Sequence, residues 1–557
     1  MAQGYRPERK GRQKRPANPL VRGVLAFCQK FGITVLDSTN SDIHTVTATA
    51  AADVRDSTGP RPGTGLAIGS ENEEQPPNPS SLDLTPSVSL NDIPKRYTSY
   101  PPLLLLPHNF PAHNERWTAV YSALSGGDRN VLFQCIAETG FAGQNISRIA
   151  INAPIAAAAQ EDGHGHSHSH DPDTGVDREE QPQLHQHRKK ENFMRSPSGL
   201  VPVYGDWGGT TPLRSHSALS TSSISNVPTP QDFSNAFWTS TSQHRGITQC
   251  WAPLYTMFSR GNVAEKARIL GTTPTAGGNS SGGARPRDGD SSGSGNGSVT
   301  FPGLTSEELR EPLPETDVMD FYVGIGYFAF CYLTRGVRRV YGWDINPWSI
   351  EGLRRGCEAN GWTCLVIRVD DHGNMVDQTA ADVAKRINGH DHGQGQGQGQ
   401  DPTGHEMQSE VTVRCVAFLG DNKWADKVMR EITTAGVALN IRHANLGLLP
   451  TSRGSWENAV KAIVCGSGRS NNKNKSVERG GWLHVHENVD VREIEKIKTQ
   501  ITHDIDGLVK RQVSEHESER ELAWAVSCDH VEQVKTYAPG VMHCVYDVHI
   551  NPINPNG

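Results

Sequence analysis

The sequence lacks several features that would assign a protein class directly. Its 557 residues contain no apolar run near the roughly 18 residues that a membrane-spanning helix needs. The basic start has no apolar segment behind it, so we expect no secretory signal. The ten cysteines show no Cys-x-x-Cys spacing, which argues against a disulfide framework and a zinc site and favours a reducing compartment, here the cytoplasm. With a net charge of -7, any RNA contact must come from a local basic surface.

The composition predicts two folded domains interrupted by long low-complexity segments. Hydrophobic residues make up 35% of the chain, whereas glycine and proline contribute 56 and 34 residues. Much of the glycine lies in tracts that cannot bury a core. In chain order we predict a basic and low-complexity region over 1–91, a smaller N-terminal α+β domain over 92–246 with a disordered insert at about 156–198, a linking segment over 247–270, a flexible linker over 271–303, and an α/β domain over 304–550 with an insert at about 372–409.

Local patterns in the N-terminal half predict little chemistry. Asn130–Cys135 and Ile146–Ile151 are predicted as short strands. Four alternating histidines over His164–His170 form a string that binds metal ions weakly. Because the string has no cysteine partners and no rigid framework, we expect no functional metal site there.

A buried strand followed by a glycine turn is the strongest pattern in the chain. The predicted strand Val318–Val323 is broken by one carboxylate, Asp320. Gly324 and Gly326 follow it, and glycines at this spacing allow a tight turn and a close approach of the backbone to a ligand.

An acidic residue follows this turn at about twenty residues, where a doubly wound sheet binds ribose hydroxyls. After a predicted helix, Tyr327–Thr334, the strand Arg339–Trp343 ends in Asp344. The third glycine of the dinucleotide fingerprint is missing, so the pattern favours an adenosine without a pyrophosphate. We therefore predict S-adenosylmethionine as the cofactor; the alternative is a glycine turn that binds no ligand.

Two more strands are predicted to end in polar residues at the ligand-binding edge of the sheet. Val411–Phe418 leads into Asp421 and Asn422, whose acid and amide suit the amine and a ring nitrogen of adenine. A short strand, Val437–Ile441, precedes the loop that contains Asn445 and is expected to place it beside the reacting end of the cofactor. In isolation, an ordinary surface turn and an ordinary loop explain these two segments equally well.

Several motifs in fixed order resemble one family. They are D-F-Y-V-G-I-G-Y-F and W-D-I-N-P within 320–347, N-L-G-L-L-P-T-S over 445–452, G-G-W-L-H-V-H-E-N-V over 480–489, T-Q-C-W-A-P-L-Y-T-M-F-S-R-G-N-V-A-E-K-A-R-I over 248–269, I-P-K-R-Y-x-x-Y over 93–100, and Y-A-P-G-V-M-H-C-V-Y-D-V over 537–548. Together they resemble the tRNA wybutosine-synthesising protein 2 family, a sister of the tRNA guanine-37 N1-methyltransferases. The resemblance implies a class I methyltransferase-like Rossmann domain.

The resemblance also implies a reaction and a site. The reaction is transfer of the 3-amino-3-carboxypropyl group of S-adenosylmethionine onto carbon-7 of 4-demethylwyosine at position 37 of phenylalanine tRNA. The cofactor contacts that the resemblance implies are Ser259, Lys266, Asp344, Asp421 and Asn422, in addition to Asp320, Gly324 and Gly326, which the strand and glycine-turn pattern predicts. Asn445 and Pro450 are the predicted catalytic residues, since alignment of electrophile and base supplies most of the rate. Without the resemblance, Lys266 pairing with Glu265 or another acid is as good an interpretation.

Three hypotheses remain open on the sequence alone. The sister methyltransferases carry a shorter N-L-P in place of N-L-G-L-L-P-T-S, which favours aminocarboxypropyl transfer over guanine-N1 methylation. A non-catalytic tRNA-binding protein is the third hypothesis, and the intact acidic and glycine residues argue against it. The expected partner is the tRNA anticodon loop, with Arg260, Arg268 and Arg442 as phosphate contacts and with no membrane and no obligate protein partner. The Gly/Ser insertion between Ile269 and Val318 and the Gly/Gln insertion before Val411 should loop out, because a longer loop costs little additional closure entropy.

Overall fold

The structure is a computed structural model that describes residues 18–36, 87–152, 199–208, 227–244, 246–259, 261–271, 304, 312–389, 412–466, 480–514 and 523–553. These residues fall into an N-terminal unit, which ends at residue 207, and a C-terminal unit, which begins at residue 208. Within the described ranges, no helix is both long enough and apolar enough to cross a membrane. The histidine string His164–His170 and residues 272–303 lie outside the described residues.

The N-terminal unit is a small α+β domain. Its elements are α1 (Pro19–Lys30), β1 (Thr34–Leu36), β2 (Ser87–Ser89), β3 (Thr98–Tyr100), β4 (Leu103–Leu106), α2 (Glu115–Ala123), α3 (Gly126–Cys135), β5 (Arg148–Ile151) and β6 (Val201–Tyr204). The four-stranded sheet has the order β3-β4-β5-β6, in which β4 and β5 are parallel and the outer pairs antiparallel. A buried aromatic cluster that includes Phe110, Trp117 and Phe133 fills the core of this unit.

Two segments of this unit differ from the sequence-based expectation. Helix α1 lies inside the predicted low-complexity region, where the Asn18 side chain caps it and Leu20, Val24 and Phe27 bury one face. The predicted strand Asn130–Cys135 is instead part of helix α3. A capping box between Ser125 and Asp128 starts that helix, and local capping outweighs a weak strand pattern.

The C-terminal unit alternates strands and helices. Its elements are α4 (Pro230–Asn235), β7 (Thr239–Gln243), β8 (Ile247–Trp251), α5 (Val263–Ile269), β9 (Asp317–Asp320), α6 (Ala329–Arg335), β10 (Arg339–Asp344), α7 (Pro347–Ala359), β11 (Thr363–Arg368), α8 (Ala380–Ile387), β12 (Val413–Leu419), α9 (Ala425–Thr434), β13 (Ile441–Leu446), α10 (Trp456–Gly466), β14 (Gly481–Asp490), α11 (Ile494–Ser514), β15 (Ala523–Ala538) and β16 (Val541–Ile553). Helix α8 lies inside the segment 372–409, which was predicted to be an insert. The helix forms because a capping box of Thr379 with Asp382 starts it and because Val383 and Ile387 are buried on its inner face.

The eight-stranded sheet has the order β11-β12-β10-β9-β13-β14-β16-β15. The six strands from β11 to β14 are parallel, and β16 runs antiparallel between β14 and β15. This arrangement confirms the predicted class I methyltransferase-like Rossmann domain. β9 has β10 as its neighbour on one side and β13 on the other, so the order of the strands reverses between β9 and β13. In such a sheet the ligand crevice lies at the carboxyl ends of these two strands.

Candidate functional site

The glycine turn after β9 is held by the acid that ends β10. Gly324 and Gly326 have φ values of 54° and 90°, so both need the left-handed backbone that favours glycine. The Gly324 N–H donates to Asp344 Oδ2 at 3.0 Å, and the Asn346 N–H donates to Asp344 Oδ1 at 2.7 Å. The structure therefore brings together the turn and the acid that the sequence predicted to bind adenosine.

Asp320 and Asn445 lie side by side at the ends of β9 and β13. They are paired in the register of the two parallel strands, and both are fully buried. Burial raises the pKa of Asp320 to about 7, although the nearby Asn445 amide and the Tyr322 N–H oppose this rise. The Asn445 amide faces the Asp320 carboxyl group, and beyond this contact neither Asp320 Oδ2 nor the Asn445 side chain has a hydrogen-bond partner among the described residues. Buried polar atoms without partners are costly, so these atoms mark a place where a ligand supplies the missing bonds.

The position of Asn445 corrects one expectation. The sequence predicted a strand over Val437–Ile441 with Asn445 in the loop after it, whereas β13 runs through Asn445. Strand pairing with β9 thus holds the Asn445 backbone, and the Phe321 N–H donates to its carbonyl at 3.0 Å.

Asp421 and Asn422 are close to this edge but already make protein contacts. Asn422 donates its side-chain amide to the Phe321 carbonyl at 2.7 Å, which ties the end of β12 to the end of β9. Asp421 accepts from the Lys423 N–H at 2.9 Å and forms an exposed ion pair with Lys423. The amide hydrogen-bonding capacity of Asn422 is therefore partly used for structure.

Lys266 is buried without an acidic partner. Its ammonium donates to Gln249 at 3.2 Å and lies 5.3 Å from the ring centre of Tyr327, and only 3% of the residue is exposed. Glu265 instead forms its ion pair with Arg268, so the alternative in which Lys266 pairs with Glu265 is wrong. No carboxylate of the described ranges reaches Lys266, and burial lowers its pKa.

Tyr327 connects Lys266 and Ser259 to the glycine turn. The Ser259 N–H donates to the Tyr327 hydroxyl at 3.1 Å, and that hydroxyl donates to the Met257 carbonyl. A side chain added at Gly324 would contact the Tyr327 ring at about 3.0 Å. The segment before α5 is thereby fastened to the turn after β9.

The loop after β13 is joined to β14. Thr451 and Ser452 donate to Glu487 at 2.8 and 3.1 Å, and the Asn488 N–H donates to the Pro450 carbonyl at 2.8 Å. Burial raises the pKa of Glu487 to about 7. These bonds fix Pro450, the second predicted catalytic residue, beside the same edge of the sheet.

Sequence reasoning missed a buried chain of charged residues behind the site. Asp547 on β16 accepts from His484 at 2.7 Å and pairs with Arg268, while His443 lies 2.9 Å from His484. Arg268 completes the chain by pairing with Glu265 on α5. The alternating histidines of β14 in G-G-W-L-H-V-H-E-N-V were the available signal, but their partners lie far away in the sequence.

The burial of two arginines corrects two predicted phosphate contacts. Arg268 is 5% exposed and Arg442 is 6% exposed, so neither presents a basic surface to RNA. Arg260, the third residue of that prediction, lies outside the described residues.

Comparisons with known proteins agree with the motifs. No protein-family model matches the chain. The tRNA wybutosine-synthesizing protein 2 of Schizosaccharomyces pombe is 28% identical over 469 residues, which cover 84% of this chain and 75% of the relative. The protein of the same name from Saccharomyces cerevisiae is 27% identical over 361 residues, 64% of this chain and 57% of the relative. The chain is similar to tRNA wybutosine-synthesizing protein 2. The resemblance inferred from the motifs is thus confirmed.

Among solved structures, P. horikoshii TYW2 in complex with MeSAdo covers 83% of this chain and 93% of that chain, at 13% identity and a TM-score of 0.36. The complex of aTrm5 and tRNALeu covers 83% of this chain and 73% of that chain, at 11% identity and a TM-score of 0.35.

Proposed function

We propose that this protein transfers the 3-amino-3-carboxypropyl group of S-adenosylmethionine onto carbon-7 of 4-demethylwyosine at position 37 of phenylalanine tRNA. The observation that carries the proposal is the buried Lys266 at the glycine turn, which has no carboxylate partner among the described residues, in a chain similar to tRNA wybutosine-synthesizing protein 2. The cytoplasm is the proposed location, since all ten cysteines are free thiols and a reducing compartment keeps thiols in that state. The N-terminal unit is the proposed site of tRNA recognition.

The described residues fit the donor molecule. A buried ammonium without an acidic partner matches the carboxylate of the methionine tail, and it is far less stable without such a ligand. Asp320 and Asn445 offer buried polar atoms to the ammonium group and to the reacting end. Asp344 already accepts two backbone bonds, and an ionised carboxylate retains further lone pairs for ribose hydroxyls.

S-adenosylmethionine supplies an activated sulfonium, whose bond to the aminocarboxypropyl carbon breaks as carbon-7 of the base forms a bond to that carbon, carbon-7 loses its proton and 5′-methylthioadenosine leaves. Three carbons are bonded to the sulfonium sulfur, so the residues of the protein must direct the aminocarboxypropyl carbon, and not the methyl carbon, toward the base. Lys266 and Asp320 hold the two charged ends of the tail, and Asn445 with Pro450 positions the base, so that the reacting atoms are aligned at about 3–3.5 Å.

The test uses S-adenosylmethionine labelled in its carboxyl group and phenylalanine tRNA that carries 4-demethylwyosine. We expect label in the tRNA with the parent protein, and a large fall in the rate of transfer with Asn445→Ala even when the donor is saturating. Asn388→Ala is the matched control, because Asn388 follows α8 at the surface. Absence of label in the tRNA, with donor and tRNA both bound, would contradict the proposal.

A further inference from the structure

Three cysteines that are far apart in the sequence meet in the C-terminal unit. Cys357 is on α7, Cys364 on β11 and Cys415 on β12, and their sulfur atoms all lie within 4.8 Å of one another. Cys364 and Cys415 are direct partners in the register of the two parallel strands. All three are free thiols. Three elements therefore point one sulfur each into a common space.

The spacing of the sulfur atoms suits a metal ion. With metal–sulfur bonds of about 2.3 Å, three thiolates around one ion lie about 4 Å apart. Small rotations about the side-chain bonds would move each sulfur atom by well under an ångström and would bring the three to that spacing. No fourth histidine, cysteine, aspartate or glutamate of the described residues joins the group.

The surroundings of the three sulfur atoms are apolar. Cys357 and Cys415 belong to an apolar core cluster, with Trp362 and Val366 packed against it. Cys364 is half-buried, so an ion has a route to the group from the surface.

We propose that Cys357, Cys364 and Cys415 form a three-thiolate site for a soft monovalent d10 ion, Cu(I). Thiolate ligands select soft ions. Structural zinc sites have four protein ligands, whereas this group has three in an apolar environment, which is the coordination number that Cu(I) accepts. The sequence-based argument against a metal site used Cys-x-x-Cys spacing, and it does not apply to ligands that the fold assembles from separate elements.

Binding at this site would fasten β11 and α7 to β12. Since Asp421 and Asn422 directly follow β12, the ion would stiffen the strand that leads to the proposed adenine contacts. A ligand that binds only the folded chain raises its stability, so Cu(I) should raise the melting temperature.

The experiment titrates the full-length, reduced protein with Cu(I) under anaerobic conditions against the competing chelator bicinchoninate. We expect the parent to withhold one more Cu(I) per chain than the variant Cys357→Ser, Cys364→Ser, Cys415→Ser, and X-ray absorption to show sulfur ligands for that ion. Because the triple variant changes the core, the single variant Cys364→Ser at the half-buried position is measured too, and it should lose the ion while keeping the parent fold by circular dichroism.

Two controls separate this site from other ligands in the chain. Cys528→Ser removes a buried thiol at the other edge of the same sheet and should keep the extra ion. Replacement of the four alternating histidines over His164–His170 by glutamine should also leave it in place. The proposal fails if the triple variant withholds as much Cu(I) as the parent, if bicinchoninate removes all Cu(I) from the parent, or if only zinc is retained.

Discussion

Replacing Lys266 by methionine should weaken donor binding while stabilising the donor-free protein. The methionine keeps most of the buried apolar stem but removes the ammonium, which has no carboxylate partner among the described residues. Because burial lowers the pKa of Lys266, the folded, donor-free protein carries the full penalty at pH values below that lowered pKa. The penalty shrinks as the pH rises above it and is gone only above the pKa of a lysine in the unfolded chain. Lys266→Met removes the penalty at neutral pH, so its melting temperature should be at least that of the parent.

The expected loss of affinity follows from the contact that is removed. A hydrogen bond between charged groups contributes about 1.5–3 kcal/mol. That range corresponds to a roughly ten- to hundredfold rise in the Kd for S-adenosylmethionine. The loss should be specific to the carboxylate of the donor, since Lys266 is assigned to no other part of it.

Calorimetric titration with two ligands tests this assignment. 5′-Methylthioadenosine lacks the amino acid tail, so its Kd should be nearly the same for the parent and for Lys266→Met. Lys510→Met is the control, because Lys510 forms an exposed ion pair with Asp506 on α11. An equal loss of affinity for both ligands would refute the reasoning, since it would mean that Lys266 only shapes the pocket.

Three further predictions concern the site and its support. Affinity for S-adenosylmethionine should fall as the pH drops below about 7, where Asp320 becomes protonated, and calorimetry on Asp320→Asn should show weak binding without that pH dependence. Gly326→Ala should cost about 1–3 kcal/mol in urea unfolding, because its Cβ would lie 2.6 Å from the Phe330 ring, whereas Gly336→Ala, with open space and a similar φ, should cost less. Asp547→Asn should lower the free energy of unfolding by about 1.5–3 kcal/mol, because Arg268 keeps Glu265 but loses its second buried charged partner; Asp490→Asn at the surface should change it little, and equal effects of the two would contradict the role of the buried chain.

Short-range patterns predicted the part of the fold that is proposed to bind adenosine. The strand, glycine turn, helix and second strand lie over 317–344 much as expected, because each rests on neighbours in the sequence: a continuous apolar run, glycines at positive φ, and an acid at a strand end. The closing hairpin was also visible, since a Pro-Gly turn separates two alternating runs.

Long-range features were beyond the sequence. Cys357, Cys364 and Cys415 meet only because β11 pairs with β12 and α7 packs on both strands. In the same way, Arg268 and Asp547 are 279 positions apart, and no local pattern marks an arginine that will be buried by a partner from the last strand. Helix α1 was missed because the basic residues before it led us to interpret all of 1–30 as a basic tail, although its 12 residues are amphipathic.

The most direct test of the account is one incubation with doubly labelled S-adenosylmethionine, carrying tritium in the methyl group and radiocarbon in the carboxyl group. The acceptor is phenylalanine tRNA with 4-demethylwyosine, and the nucleosides are separated after the reaction. We expect radiocarbon without tritium in the modified nucleoside, and tritium-labelled methylthioadenosine as the other product. Tritium without radiocarbon in the nucleoside would show methyl transfer and would contradict the proposed roles of Lys266 and Asn445.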